Sequence, residues 1–284
     1  MFKTALLLGA LTGLLVGLGY MIGGSGFALI ALVFAGVMNF VMYWFSDKLA
    51  LSMAGAHEVT KEQEPRLHAM VEEVAMLAGV PKPKVYVVQN ESPNAFATGR
   101  NPQHAVVAVT TGIRRILDDR ELRAVIGHEI GHVKNRDILT ASIAATIAGA
   151  ISYIQTMLMW GALLGGGRDR EGGNPLVALL ASIVAGIAAV LLQMAISRTR
   201  EYSADKSGAE YLRDPEALAS ALAKLHNGVQ VQPMRETAGT EATSSLYIVH
   251  PFRGGAGLGN LFSTHPPVEE RIKRLRRMAG YVVE

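Results

Sequence analysis

Between Thr4 and Ser46 the chain carries no charged residue, and the run divides at Gly23-Gly24-Ser25-Gly26 into two apolar segments. Each is close to the ~20 residues that an α-helix needs to cross a bilayer, so residues 1–46 are expected to form a transmembrane hairpin. A secretory signal peptide is the competing reading of the first segment, because Lys3 precedes an apolar stretch and small residues follow it. Against that, the stretch is long for a signal peptide and a second apolar segment follows at once. Charge disappears again from Ile138 to Gly167, and Pro175 to Ser197 repeats the pattern around Arg168-Asp169-Arg170-Glu171. Two more hydrophobic helices are expected over 138–197, either spanning the bilayer or lodged as a non-spanning hairpin.

Asp47 to Asp137 has soluble character. Over Lys61 to Leu77 the apolar residues Leu67, Met70, Val71, Val74, Ala75 and Leu77 recur at helical spacing, with His68 off that stripe and expected at the surface. Pro81-Lys82-Pro83 stops this helix, and Lys84–Val88, Ala95–Thr98 and His104–Thr111 then read as strands of a small antiparallel sheet. A strand just ahead of the next helix is either an exposed edge able to pair with an extended peptide or is paired internally; spacing leaves both open. Beyond the second hydrophobic pair, residues 198–284 return to soluble character. Pro215 to Leu225 is expected to be helical, and Pro267 can open another helix from Val268. Gly228 to Asn260, rich in Gly, Ser, Thr and Gln, reads as a flap or a poorly ordered loop.

Composition agrees with membrane embedding: of 284 residues, 50% are hydrophobic and only 18% charged, and the mean hydropathy is +0.25. A net charge of +3 raises the question of nucleic acid. With four spans, however, Arg168 and Arg170 are the two of 27 Lys and Arg residues on the side of the short loops, so the positive-inside rule places the soluble segments in the cytoplasm. The excess charge is thereby explained, and no nucleic acid partner is expected. The absence of cysteine excludes disulfides and thiolate metal ligands.

The chemistry concentrates in Gly127-His128-Glu129-Ile130-Gly131-His132. On an α-helix His128 and His132 stand one turn apart on one face and can bind a single metal ion, with Glu129 beside them as general base. The bland alternative is an amphipathic helix that happens to carry these residues. Val125, Ile126, Ile130 and Val133 make its surroundings apolar, and a buried His-Glu-His cluster needs partners. Because Ile138 follows Asp137 with no Pro or Gly between, this helix can run on into the next apolar segment. Two histidines leave a catalytic zinc site one protein ligand short. Glu201 and Asp205, an i, i+4 pair, supply candidates: one can bind the metal while the other braces a histidine, and periodicity does not say which. The charges flanking the motif argue against an intramembrane protease.

In order along the chain, two apolar segments, Asn94-Ala95-Phe96-Ala97, the His128–His132 motif, a second apolar pair, Glu201-Tyr202-Ser203-Ala204-Asp205 and His265-Pro266-Pro267 with Arg271 resemble the HtpX family of membrane zinc metalloproteases. That family is related to the CAAX prenyl proteases. The resemblance implies an α+β, mainly helical integral membrane protein with a gluzincin-like catalytic domain, a small antiparallel sheet and four hydrophobic helices. It further implies one Zn²⁺ per chain on His128, His132 and Glu201, with Asp205 supporting a histidine. Glu129, His265 and Arg271 would be catalytic, the latter two at the oxyanion, and Asn94 would lie at a substrate-binding edge. The implied activity is endoproteolysis of misfolded or damaged membrane proteins at the inner (cytoplasmic) membrane, with a multi-pass anchor in the lipid bilayer. A non-proteolytic membrane scaffold with a structural metal site is the alternative. A structural site normally fills four positions with protein ligands, and this chain offers three plus Glu129.

Overall fold

The computed structural model of the chain describes residues 2–145, 147, 198–253 and 266–281. The second expected hydrophobic pair beyond residue 147, the loop at Arg168 and the candidate His265 lie outside these described residues.

Helix α1 (Phe2–Ala54) is interrupted at Gly24, whose φ of 67° belongs to the left-handed region. The Asn39 Nδ2 donates to Thr12 Oγ1 at 2.9 Å, although residues 27 apart on a straight helix would be about 40 Å apart at ~1.5 Å per residue. The two arms therefore lie side by side. The Gly24–Ala54 arm is, among the described residues, the one helix long and apolar enough to cross a membrane. Phe27, Ile30, Val33, Phe34 and Val37 on it are more than half exposed, a surface that suits lipid rather than water. Phe40, Tyr43, Trp44 and Phe45 follow towards its end, with the Arg100 guanidinium 4.6 Å over the Trp44 ring and Lys48 Nζ 5.5 Å over Phe45. Aromatic and basic groups mixed in this way are the composition typical of membrane interfaces.

The sheet differs from the expected antiparallel one. It has four strands, β1 (Ala56–Glu58), β2 (Lys84–Val88), β3 (Ala95–Gly99) and β4 (Ala105–Thr110), in the order β1-β2-β4-β3. Strand β4 inserts between β2 and β3, parallel to the first and antiparallel to the second. The physical reason lies in Ala105-Val-Val-Ala-Val-Thr110, which buries valines on both faces, whereas β3, also buried throughout, carries a single large apolar residue, Phe96. A strand apolar on both faces belongs in the middle of a sheet covered on both sides. That leaves β3 at the edge.

On one face of the sheet, Val85, Val87, Ala95, Ala97, Val107 and Val109 pack with helices α2 (Pro65–Ala78) and α4 (Asp119–Lys134). On the other, Phe96, Val106 and Ala108 meet Ala50, Leu51 and Ala54 at the end of α1. The sheet thus joins the membrane anchor to the motif helix. In α2 the buried stripe is as expected except at its end, where Leu77 is 52% exposed and Ala78 is buried instead. His68 is tied down rather than merely at the surface, its Nε2 lying 2.9 Å from the Val59 carbonyl.

Helix α3 is the single turn Ile113–Ile116. Helix α4 begins with a capping box in which Asp118 accepts from the Glu121 N–H and Glu121 from the Asp118 N–H. It does not run on as expected: Arg136 has φ 58° and the Asp137 N–H bonds back to His132 O at 3.0 Å, after which a new helix, α5, covers 138–145. Helices α6 (Arg198–Leu212), α7 (Pro215–Val231), α8 (Ala238–Thr243) and α9 (Val268–Met278) complete the described chain. The stretch expected to be a flap is fixed through residue 253. Helix α7 extends to Val231, Met234 N–H bonds Pro251 O at 2.9 Å, and the phenyl ring of Phe96 packs edge-on against Tyr247 at 5.2 Å. Apolar Met234, Leu246 and Tyr247 supply the burial that the small polar residues around them conceal in the sequence.

Helices α4 and α6 touch through small residues. A Cβ on Gly208 would lie 2.7 Å from the His128 backbone nitrogen, and one on Gly131 would lie 3.1 Å from the Ala204 carbonyl oxygen. Any side chain there pushes the helices apart. Gly208→Ala is expected to cost about 1–3 kcal/mol of stability and to weaken metal binding, as measured by thermal unfolding in detergent and zinc titration; wild-type values for both would show that the close approach is dispensable.

Candidate metal centre

Close packing of α4 on α6 brings Glu201 to the two histidines. His128 Nε2 and His132 Nε2 are 3.2 Å apart, and the Glu201 carboxylate lies 3.6 Å from the first and 3.5 Å from the second. Tetrahedral bonds of about 2.0–2.1 Å to one zinc ion place ligand atoms about 3.3–3.4 Å apart, so the residues present fit such an ion. Among the described residues, His128, His132 and Glu201 are the group of three able to hold a metal. All three lie in or near the core, with His128 fully buried and Glu201 only 8% exposed.

Behind this cluster is a buried ionic network. Asp205 Oδ1 is 2.9 Å from His128 Nδ1, the ring nitrogen facing away from the other two candidates. That contact fixes Nδ1 as the protonated nitrogen and leaves Nε2 with a free lone pair. Arg271, fully buried, donates Nε and Nη2 to the two Asp205 oxygens at 2.8 and 2.7 Å, and Nη1 to the Ile248 carbonyl at 2.7 Å. Burial would raise the Asp205 pKa, but Arg271 and His128 outweigh it and hold the carboxyl below its usual value. Arg271 is itself held above its usual range: burial opposes its charge, and Asp205 more than compensates.

The titratable groups of the motif are pushed apart. Burial lowers His128 to about 4 against the pull of Asp205, which keeps the ring neutral as a metal ligand must be. His132 loses to burial but gains more from Glu201, Asp137 and Glu129, ending above its ordinary value. Burial raises Glu129 to about 8; a cation held beside it would favour its charged form and lower that value. One Glu129 carboxyl oxygen is buried without a hydrogen-bond partner. An orphaned buried oxygen of that kind, beside three ligand atoms, is what a group that handles a water needs.

Asp137 is a residue that sequence reasoning missed. Its carboxylate lies 3.6 Å from His132 Nδ1, just past the helix end that Arg136 creates. Only the acidic residue five positions after a candidate ligand could have signalled it. Asn94, expected at a substrate edge, is fully buried at the start of β3, its carboxamide bonding the Val249 carbonyl at 2.8 Å and accepting from the Val249 N–H at 3.3 Å. Arg271, expected at the oxyanion, reaches the far nitrogen of His128, with Nη2 3.5 Å from Nδ1.

Residues 61–279 match peptidase family M48. The chain belongs to that family. Similarity runs nearly end to end: it is 52% identical over 278 residues to the Protease HtpX homolog of Pyrococcus furiosus, spanning 98% of this chain and 95% of that one. The Protease HtpX homolog of Persephonella marina is 53% identical over 279 residues, spanning 98% and 96%. The crystal structure of S. mikatae Ste24p shares the fold with a TM-score of 0.52 and 18% identity over 97% of this chain, which spans 65% of that one. The M48 assignment makes the protein a metallopeptidase of the HtpX kind.

For an M48 enzyme the Asp205 brace has a measurable consequence. Asp205→Asn, which keeps the shape but not the charge, is expected to weaken zinc binding about 10–100-fold, read by competition with a chromophoric chelator. An affinity equal to wild type would mean that His128 is oriented by something else.

Proposed function

We propose that this M48 metallopeptidase is a zinc endopeptidase of the inner membrane that cuts misfolded or damaged membrane proteins, with its catalytic part in the cytoplasm. The observation that carries the catalytic half is the Glu129 carboxyl, buried and with one oxygen unpartnered beside the His128, His132 and Glu201 cluster. One Zn²⁺ per chain, held by those three side chains, would supply a Lewis acid for the scissile carbonyl. Glu129 takes a proton from the attacking water and delivers it to the leaving amine. His128 stays neutral and in one tautomer because Asp205 holds its Nδ1 proton, and Asp205 in turn is held by Arg271. A positioning role suits Arg271 better than direct contact with the oxyanion, since each of its nitrogens bonds Asp205 or the Ile248 carbonyl and Nη1 lies 3.6 Å from Glu201. His265 is the remaining proposed oxyanion partner. Asn94 contributes by fixing the Tyr247–Val249 segment on β3, the edge strand proposed to receive an extended stretch of substrate.

The membrane half rests on the apolar, exposed Gly24–Ala54 arm and the distribution of Lys and Arg. The HtpX resemblance supports the role in protein quality control. Membrane-protein clients that are locally unfolded fit an edge strand that pairs with main chain beside the membrane anchor.

Glu129→Gln is expected to lower cleavage of an unfolded client at least ~100-fold while retaining one zinc per chain by metal analysis. Full activity in that zinc-loaded variant would remove Glu129 from the mechanism. Because the chain has no cysteine, single substitutions report sidedness cleanly: Arg168→Cys should react with an impermeant maleimide on intact cells, and Glu62→Cys only after lysis. The opposite pattern would invert the topology.

A further inference from the structure

Helix α2 lies beside the motif helix and runs the same way. Arg66 pairs with Asp119 near their starts, Arg123 Nε is 3.2 Å from Glu73 Oε2 midway, and Lys134 Nζ donates to the Ala78 carbonyl at 2.8 Å near their ends. The end they share points towards the apolar part of the anchor. Helix α5 follows α4 there, and its Leu139 and Ile143, with Ile147 beyond, pack with Leu8, Met38 and Met42, while Thr140 Oγ1 lies 2.8 Å from Thr4 Oγ1. The sheet gives the same direction. Lys84, Val106 and Thr98 form one row across β2, β4 and β3, and Thr98 Oγ1 lies 2.5 Å from Ser142 Oγ on α5. One residue past Thr98 is Gly99, followed by Arg100 over the Trp44 ring. The chain enters β2 from that end, so the turn from α2 into β2, residues 79–83, is on the anchor side of the catalytic part.

The tip so placed is apolar, open and fixed. Met76 is 75% exposed and Leu77 52%, and Pro81 just past the turn is exposed as well. Gly79 ends α2 at φ 69°, its N–H bonding Met76 O at 3.1 Å, and Lys134 ties the Ala78 carbonyl to the end of α4. Lysines border the tip: Lys82 pairs with Glu72 at 2.7 Å and Lys84 with Glu58 at 3.0 Å. Ion pairs so open to solvent contribute little, which leaves both lysines able to meet an anionic headgroup. We propose that the Met76-Leu77 tip, with Pro81 and Lys82 of the following turn, is a second membrane contact of the chain, entering the headgroup region of the bilayer that the anchor crosses. Its occupant is lipid, because exposed apolar side chains with lysines beside them stand at the end of the catalytic part that leads into the anchor. The motif helix then has two supports at its membrane end, α5 in line with it and the tip through Lys134, and together they set the tilt of the His128–His132 face over the surface. The inference rests on the Gly24–Ala54 arm crossing a bilayer and is independent of the peptidase chemistry.

Because the chain has no cysteine, single substitutions can carry a probe. Full-length protein labelled with an environment-sensitive fluorophore at Met76→Cys or Leu77→Cys is reconstituted into vesicles of zwitterionic and anionic phospholipid, a fraction of it bearing nitroxides at the headgroup or at a shallow acyl position. Emission at both positions is expected to shift to the blue and to be quenched by the nitroxide lipids. A label at Glu62→Cys, beyond the other end of α2 and about 20 Å away, should do neither. Quenching at the tip no greater than at Glu62 would overturn the contact. A label at Phe34→Cys reports the bilayer crossing separately: if it is quenched and the tip is not, the tip inference alone fails, and if neither is quenched the anchor reading fails with it. A blue shift without quenching that fades as the protein is diluted among vesicles would make the tip a contact between copies, and one that appears only with an unfolded client would make it a client site; either result overturns the lipid contact. Since the fluorophore is itself apolar, a label at Lys82→Cys is compared with and without Met76→Glu/Leu77→Glu, where quenching is expected to fall to the Glu62 level. Unchanged quenching in that variant, with zinc content per chain intact, would show that these two side chains do not make the contact. The single-cysteine labels decide the matter by themselves if the charged variant does not fold.

Discussion

Burying a guanidinium is costly unless every part of its charge is answered, and Arg271 is the point at which this molecule meets that requirement. Its fork takes both oxygens of Asp205 and the carbonyl of Ile248, and so ties α9 to α6 and to the segment that crosses β3. Asp205 passes the constraint on to His128 on α4. Four separate parts of the chain are thereby held around one buried charge. Removing Arg271 or Asp205 leaves the other charge without its partner in the interior, a much larger penalty than the pair contributes in favour of folding. The network is best understood as a device for geometry: it fixes the orientation of a histidine and the place of an edge segment at once.

The same geometry needs close helix packing, and small residues permit it. Gly127 just before the motif and Gly131 within it lie on α4, while Ala204 and Gly208 answer them on α6. The backbones approach closely enough for Glu201, one turn before Asp205, to face the Nε2 atoms while Asp205 faces Nδ1. A carboxylate four residues along the same helix thus meets the other side of the same imidazole. Spacing alone could not reveal this, because which side each carboxylate meets depends on how α6 lies across α4.

The membrane anchor enters the site through the sheet. One face of β3 and β4 packs on the motif helix and the other on the end of α1, and Thr98 Oγ1 lies 2.5 Å from Ser142 Oγ on α5. Strand β3 is therefore clamped between the catalytic layer and the anchor, which holds a narrow edge in place beside Glu129.

Much of the local structure was legible in the residues. Helical spacing announced α2, the glycines around position 24 announced the break in α1, and the His128–His132 pair announced a metal face, because each depends only on neighbours a turn away. The errors arose where distant chain competes: β4 displaced β3 from β2 because a doubly apolar strand seeks the centre of a sheet, and Arg136 ended a helix that hydropathy would have continued. Leu77 and Ala78 exchanged places for the same reason, the packing partner deciding which of two adjacent apolar residues turns inward. By itself, then, the amino-acid sequence determined the membrane character, the motif helix and the set of ionisable groups available to it, all properties of composition and short-range period. Only the tertiary structure decided which carboxylate meets which nitrogen, that Arg271 stands behind the cluster, and that Ile248 occupies the edge at Ala95. Those relations join residues as far apart as Ala95 and Ile248 or His128 and Arg271, and no short-range period encodes them.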